Sequence, residues 1–442
     1  MERVGRWARR RTGLRVLSAA FRTAVAAEVA AQRSISAPEQ HSTVLAMLQR
    51  RSQAGRHPRL FALATLVAAA LLVEAAAHLA VLAANPFLPH PIVTQRALFD
   101  GQSRAIRMLF DSARRDQHHP ILGWSYRAGY AADGDTLNQA GMRSSREYPL
   151  LPTDSLTRVA AFGDSFVYCT EASNDACWSS QMETDWLVEV LNYGVGGYGT
   201  DQSLLRYLLE GRRYSPSIVV VGFAPVNVRR TVNRFRRFLS PREGPWFKPR
   251  FKLVEGDLRV IPTPIPSLAD ARTLLADPTG VRRFGTDDHW YEPAIYEHRL
   301  YRMSATYRIL AHAWIWLRQR HFDADRLYQN GVLRTESEAF KLQKRLLTGF
   351  ADSITAAGST PALLFLPNRG DVRRRAQGEA PSYEPLSSLL REMGLVLIDP
   401  LDAFTEAGVR EADLFAPRGH YSETANRILA QVVASGLSIA RR

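Results

Sequence analysis

The amino-acid sequence predicts a three-layer α/β/α sandwich built on a parallel β-sheet and preceded by one N-terminal transmembrane helix. Three observations predict it. Short apolar runs alternate with helical patterns through most of the chain after residue 157, as expected for parallel strands joined by right-handed helical crossovers. The first run, Val159-Ala160-Ala161-Phe162, ends at Gly163-Asp164-Ser165, a strand entering a tight turn that carries a hydroxyl. Residues 60–84 hold Glu74 and His78 as their only ionisable groups, and about 20 apolar residues suffice for a helix to cross a bilayer.

The chain opens with a basic leader, residues 1–59, in which twelve Arg face three Glu. Leu14, Leu17, Phe21, Val25 and Val29 recur there at helical spacing, a pattern shared by membrane-surface helices, bundle helices and disordered segments. In the apolar segment that follows, eleven Leu, Val and Phe residues favour insertion by about 3 to 6 kcal/mol. An ionised Glu74 costs roughly 2.5–3.5 kcal/mol, so spanning wins by a small margin over a buried soluble helix. Arg50, Arg51, Arg56 and Arg59 flank the segment and favour a cytoplasmic amino terminus, with everything after Asn85 outside. The expectation is a single-pass membrane protein held through residues 60–84. Val81-Leu82-Ala83 also suits a peptidase, and a start at Met47 would leave an ordinary signal anchor.

Residues 85–157 read as a loop-rich lead-in. Its His118-His119 pair has no carboxylate or Cys at ligand spacing, so it reads as a solvated loop rather than a metal site. Strand candidates follow at 158–162, 188–193, 217–223, 361–366 and 395–399, separated by helical stretches such as 201–210 and 336–357. They place the main domain at 158–438, with an insertion at about 229–335 between the third and fourth strands. Within the insertion, 251–261 is a hairpin signal with Glu255-Gly256-Asp257 at its turn. Tyr296, Leu300, Met303, Tyr307, Leu310 and Trp314 then recur at helical spacing over 294–319. That pattern suits a helix burying its aromatics against its own domain better than a cap over a site. Asp287-Asp288-His289-Trp290 reads as a loop. Cys169 and Cys177 stand in one short segment, as a disulfide if the domain lies outside the cytoplasm or as two buried thiols.

The formal charge of +14 does not indicate a nucleic-acid partner: Arg supplies nearly all of it, much of it in the leader, and no aromatic-interleaved basic stripe follows. The chemistry concentrates elsewhere. Ser165 follows the first strand, Gly194, Gly196 and Gly197 the second, Asn227 the third, and His420 lies near the end. Open α/β sheets gather their ligands at the carboxyl edge, where these positions converge. A serine hydroxyl attacks only when a base takes its proton and donors hold the oxyanion. Ser165 and His420 supply the first pair. The backbone N–H groups of Ser165 and Gly197 and the amide of Asn227 supply the second, Gly197 being chosen by counting from Asn192.

Ser165, Gly197, Asn227 and His420, in that order, resemble the GDSL/SGNH hydrolase superfamily. The flanks at 122–124, 138–143, 199–202 and 420–422 are similar to its membrane-anchored bacterial subgroup. The resemblance implies an SGNH/flavodoxin-like sandwich and a serine esterase using neither metal nor organic cofactor. Its expected substrate is an acylated, plausibly O-acetylated, envelope glycan or a small ester. The same residues would serve an O-acyltransferase acting on an exported polysaccharide. Two departures would fit a catalytically silent glycan-binding protein. Val228 follows Asn227 where the family has Asp, and Pro417 stands where the family places Asp three residues before the histidine. The Pro417 carbonyl, Asp413 or Asp399 is then the expected partner of the imidazole. Loss of that carboxylate in serine proteases costs about 10⁴ in turnover. Asp164 reads as structural, since neighbouring side chains on an extended chain point oppositely.

Overall fold

The computed structural model describes residues 57–88, 91–132, 134–152, 156–322 and 326–442. The leader's helix-spaced residues from Leu14 to Val29, Met47, and Arg50, Arg51 and Arg56 lie outside them.

Five parallel strands form the central sheet: β1 Thr157–Phe162, β2 Val188–Asn192, β3 Ile218–Phe223, β4 Thr360–Phe365 and β5 Leu397–Ile398. Their spatial order is β2-β1-β3-β4-β5, and every neighbouring pair is parallel. All five expected strands are present within two residues of their expected bounds. Their centres are apolar on both faces, with Val159, Ala161, Val220 and Leu364 fully buried, because helices cover both sides of the sheet. Helix α2 (Trp178–Asp185) packs with α7 (Glu423–Gly436), while α3 (Thr200–Leu209) and α4 (Val226–Thr231) meet α6 (Glu338–Ala356). The strand order reverses at β1, so the loops after β1 and β3 diverge and open a crevice at the carboxyl edge. A buried ion pair, Arg158 to Glu189 at 2.8 Å, fastens β1 to β2 at the other end.

The lead-in and the insertion share a second core in which Trp124 and Tyr126 meet Tyr198, Phe235, Phe247 and Tyr296. The lead-in carries helix Gln95–Arg107 and hairpin Asp116–His119/Gly123–Tyr126. His118 Nε2 lies 2.9 Å from the Ile265 carbonyl, and His119 Nδ1 accepts the N–H groups of Ile121 and Leu122. The insertion hairpin pairs Arg250–Val254 with Asp257–Ile261, turning at Glu255 and Gly256 as expected. Asp288 accepts the N–H groups of Arg234, Phe235 and Trp290, a loop-tying knot.

The expected helix over 294–319 is not continuous. It breaks into Pro293–Tyr296, Arg299–Met303 and α5 (Ala305–Leu317), because His298 and Ser304 leave the helix and cap the next segment with their side chains. It also does not bury its stripe as expected: Tyr296 is inside, but Leu300, Met303, Leu310 and Trp314 are exposed. Before the lead-in stands α1, Pro58–Ala84, whose surrounding segment has a mean hydropathy of 2.2 and is long and apolar enough to cross a membrane.

Candidate active site

Ser165 and His420 line one cavity of about 310 Å³ at the carboxyl edge of the sheet. Ser165 sits in the turn after β1 with 7% of its surface exposed, and its backbone carbonyl accepts the Thr170 N–H at 2.9 Å. The Asp164 carboxylate turns away from the cavity. It accepts the Phe166 N–H at 3.0 Å, the Asn227 amide at 3.0 Å and Arg230 Nη1 at 2.8 Å. Asp164 is thus structural, as expected from its position beside the nucleophile candidate.

His420 follows a turn closed by Gly419, whose φ of 96° is a left-handed conformation that suits glycine. Ser422 caps α7 through the Ala425 N–H, and Tyr421 donates to the Pro367 carbonyl at 2.8 Å, so both residues after the imidazole are fixed. The Phe166 ring lies 5.3 Å from the His420 ring.

The acid that orients the imidazole is none of the expected candidates. Asp413 is held by Arg410 at 2.8 Å, and Asp399 takes the Tyr383 hydroxyl at 2.9 Å and the Leu401 N–H. Both are engaged in their own loops, and the Pro417 carbonyl is not the partner either. His420 Nδ1 instead lies 2.8 Å from Oε2 of Glu171, a residue the sequence reading did not single out. The same carboxylate accepts the backbone N–H groups of Arg418 at 2.9 Å and His420 at 3.2 Å. Burial alone would raise the Glu171 carboxyl, but these hydrogen bonds hold it below its usual range. An ionised carboxylate cannot donate, so Nδ1 carries the hydrogen and Nε2 keeps the lone pair of a base.

Glu171 reaches the imidazole because its loop is locked. Cys169 and Cys177 form a disulfide, and Cys169 and Glu171 take φ values of 62° and 76°. The buried Arg143 donates to the carbonyls of Tyr168 at 2.7 Å, Cys169 at 3.0 Å and Ala172 at 2.6 Å. A signal was present in the sequence: an acid six residues after the serine, inside a two-cysteine loop at the sheet's carboxyl edge. It was passed over because the family pattern directs attention to the residues just before the histidine.

The glycines separate by their N–H groups. Gly194 donates to Asn192 Oδ1 at 3.0 Å, and Gly196 donates to the Tyr126 hydroxyl at 2.6 Å. Among the described residues, the N–H groups of Ser165 and Gly197 have no hydrogen-bond partner, and both residues line the cavity. Gly197 has a φ of 83°, a left-handed conformation that suits glycine. Asn227 departs from expectation. Its two amide hydrogens go to Asp164 Oδ2 and to the Tyr198 carbonyl at 3.1 Å, while its oxygen accepts the Ala224 N–H. It is buried behind the cavity wall rather than on it, braced because Asp164 and Tyr198 offer acceptors on both sides. Arg230, one helical turn later, takes the place on the wall.

The rest of the wall is aromatic and ionic. Trp124 and Trp246 stack with centroids 5.6 Å apart, and Trp124 donates to the Gly196 carbonyl at 3.1 Å. Arg114 pairs with Asp116 at 2.9 Å, and Arg236 pairs with Glu243 at 2.6 Å. Burial lowers the Arg236 guanidinium to about 10.

No family model and no curated protein matches the chain. Among solved structures it is similar to a G-D-S-L family protein, described as lipolytic, from Desulfitobacterium hafniense DCB-2: 13% identity, TM-score 0.32, covering 63% of this chain and 99% of that one. The acetylxylan esterase Axe2 from Geobacillus stearothermophilus is similar at 11% identity and TM-score 0.33, over 64% of this chain and 94% of its own. A two-domain esterase active on acetylated mannans is similar at 9% identity and TM-score 0.33, over 64% of this chain and 49% of its own.

Proposed function

We propose that the protein is a membrane-anchored, extracytoplasmic serine esterase that removes acyl groups, O-acetyl in particular, from an envelope glycan or a small ester. One observation carries the reading: a serine and a carboxylate-held imidazole open onto the same cavity, beside two backbone N–H groups without partners. In the cycle, Ser165 Oγ attacks the acyl carbon while His420 Nε2 takes its proton. The N–H groups of Ser165 and Gly197 receive the oxyanion, with the Arg230 cation near it. Each such donor is typically worth about 2.7–4 kcal/mol in the transition state. Protonated His420 then gives its proton to the departing alcohol, leaving an ester on Ser165. Water, deprotonated by the same nitrogen, releases the acid and restores the serine. Glu171 keeps the imidazole oriented and stabilises its cation. Trp124 and Trp246, stacked and almost wholly buried, stiffen the wall beside Gly196 and Gly197.

Treatment of the full chain with a fluorophosphonate probe tests this. Labelling is expected in the native protein, absent in Ser165→Ala and strongly slowed in His420→Ala. A folded native protein that stays unlabelled and releases no acetate from acetylated glycans would overturn the proposal.

A further inference from the structure

The insertion turns an apolar face outward. Leu300, Met303, Leu310, Trp314, Trp316 and Leu317 are 36–66% exposed, all on α5 or on the short helix before it. Leu310, Trp314 and Leu317 stand one helical turn apart, so they form one stripe. That stripe, continued by Leu300 and Met303 on the short helix before it, is an exposed apolar face of the kind that marks an interaction surface, and Trp316 adds a second exposed indole on the same helix. Exposed Arg299, Arg302 and Arg320 border it, and the Arg320 guanidinium lies 5.5 Å from the Trp316 ring. The patch does not belong to the Ser165 cavity, whose wall contains no residue of α5.

Its position says what covers it. Within the compact unit Ala77–Arg442, the final turns of α1 bury Ala77 and Val81. His78 Nε2 lies 3.5 Å from Nη2 of Arg308, a residue of α5 itself. At about 1.5 Å per residue, the first ~20 residues of α1 match the ~30 Å hydrocarbon core. His78, which touches α5, stands in the last two turns of α1, near the end of the segment proposed to cross the bilayer.

We propose that the exposed face of α5 lies in the interfacial layer of the bilayer that α1 crosses. The partner is a phospholipid surface, with leucines and indoles at the acyl–headgroup boundary and the bordering arginines among the phosphates. This rests on the membrane-anchored reading above and adds a second attachment that fixes how the domain stands on the membrane.

The test uses the full chain in phosphatidylcholine/phosphatidylglycerol vesicles, with single nitroxide labels at Trp314→Cys, Trp316→Cys, Leu66→Cys and Val396→Cys. The native cysteines are bonded to each other and do not compete for label. Collisions with oxygen and with a water-soluble nickel chelate report depth. The expectation is position 66 deep, 314 and 316 shifted towards oxygen and protected from nickel, and 396 aqueous. Labels at 314 and 316 that behave like 396 while 66 stays deep would overturn this inference and leave the anchor standing. An aqueous label at 66 would overturn the anchor itself. Labels at 314 and 316 shielded from both reagents, in detergent as in vesicles, would show a second copy covering the patch and also overturn it. A label-free check is quenching by brominated lipid, expected to diminish in W314F/W316F and to overturn the inference if unchanged.

Discussion

Glu171 and His420 are separated by most of the domain in sequence and by one hydrogen bond in space. Glu171→Gln keeps the shape of the side chain and removes its charge. The expected loss in kcat/KM is about 10² to 10⁴, by analogy with the orienting carboxylate of serine proteases. A loss below threefold, with the fold intact, would make the contact merely structural. Stability provides a second readout. The folded carboxyl titrates below its ordinary range, so its contribution is present above the unfolded value of about 4.3 and disappears as pH falls through the folded one. Glu171→Gln should therefore lower Tm at pH 7, and the difference from the native protein should shrink as pH falls below the ordinary carboxylate range. Asp399 has the opposite sign. Burial raises it to about 6, so its ionised form destabilises the fold as pH rises through that value. Asp399→Asn should raise Tm at pH 8 more than at pH 4, and thermal scans at the two values check it. Ser165 and His420 were legible from their types and order, whereas Glu171 carried only the faint mark of an acid within a two-cysteine loop, and the backbone turns that bring it back to His420 are not announced by residue type.

The strands of the central sheet were legible nearly to the residue, since a strand buried on both faces is apolar through its centre. The insertion was harder to read. A 3.6-residue stripe states that one face is apolar but not whether protein or lipid meets it, and Ser304, inside the expected continuous helix, instead caps a new one. The loop from Cys169 to Cys177 acts as an element in its own right. A cross-link closing so short a loop contributes about 2–3 kcal/mol in the chain-entropy account. Cys169→Ser/Cys177→Ser should lower Tm and slow fluorophosphonate labelling of Ser165 together. Unchanged labelling in that variant, with Tm reduced, would show that Arg143 alone suffices to hold Glu171.

At the scale of the whole molecule, a sheet edge, a lead-in and an insertion each contribute one wall to the cavity, so no single segment contains the site. Asn227 illustrates the limit of pattern reading at this scale. Its place in the chain order was evident, but its hydrogen-bond partners depend on Asp164 and Tyr198 arriving from two other strands. The cross-linked loop has a consequence for the life history of the protein. Glutathione and thioredoxin keep cytosolic thiols reduced, whereas the far side of the inner membrane lets them oxidise. On the proposed extracytoplasmic placement, newly made copies awaiting translocation would carry two free thiols, leaving the loop that bears Glu171 held by Arg143 alone. Competence would then arrive with secretion, and acyl groups on metabolites inside the cell would be spared from a hydrolase that matures only beyond their reach.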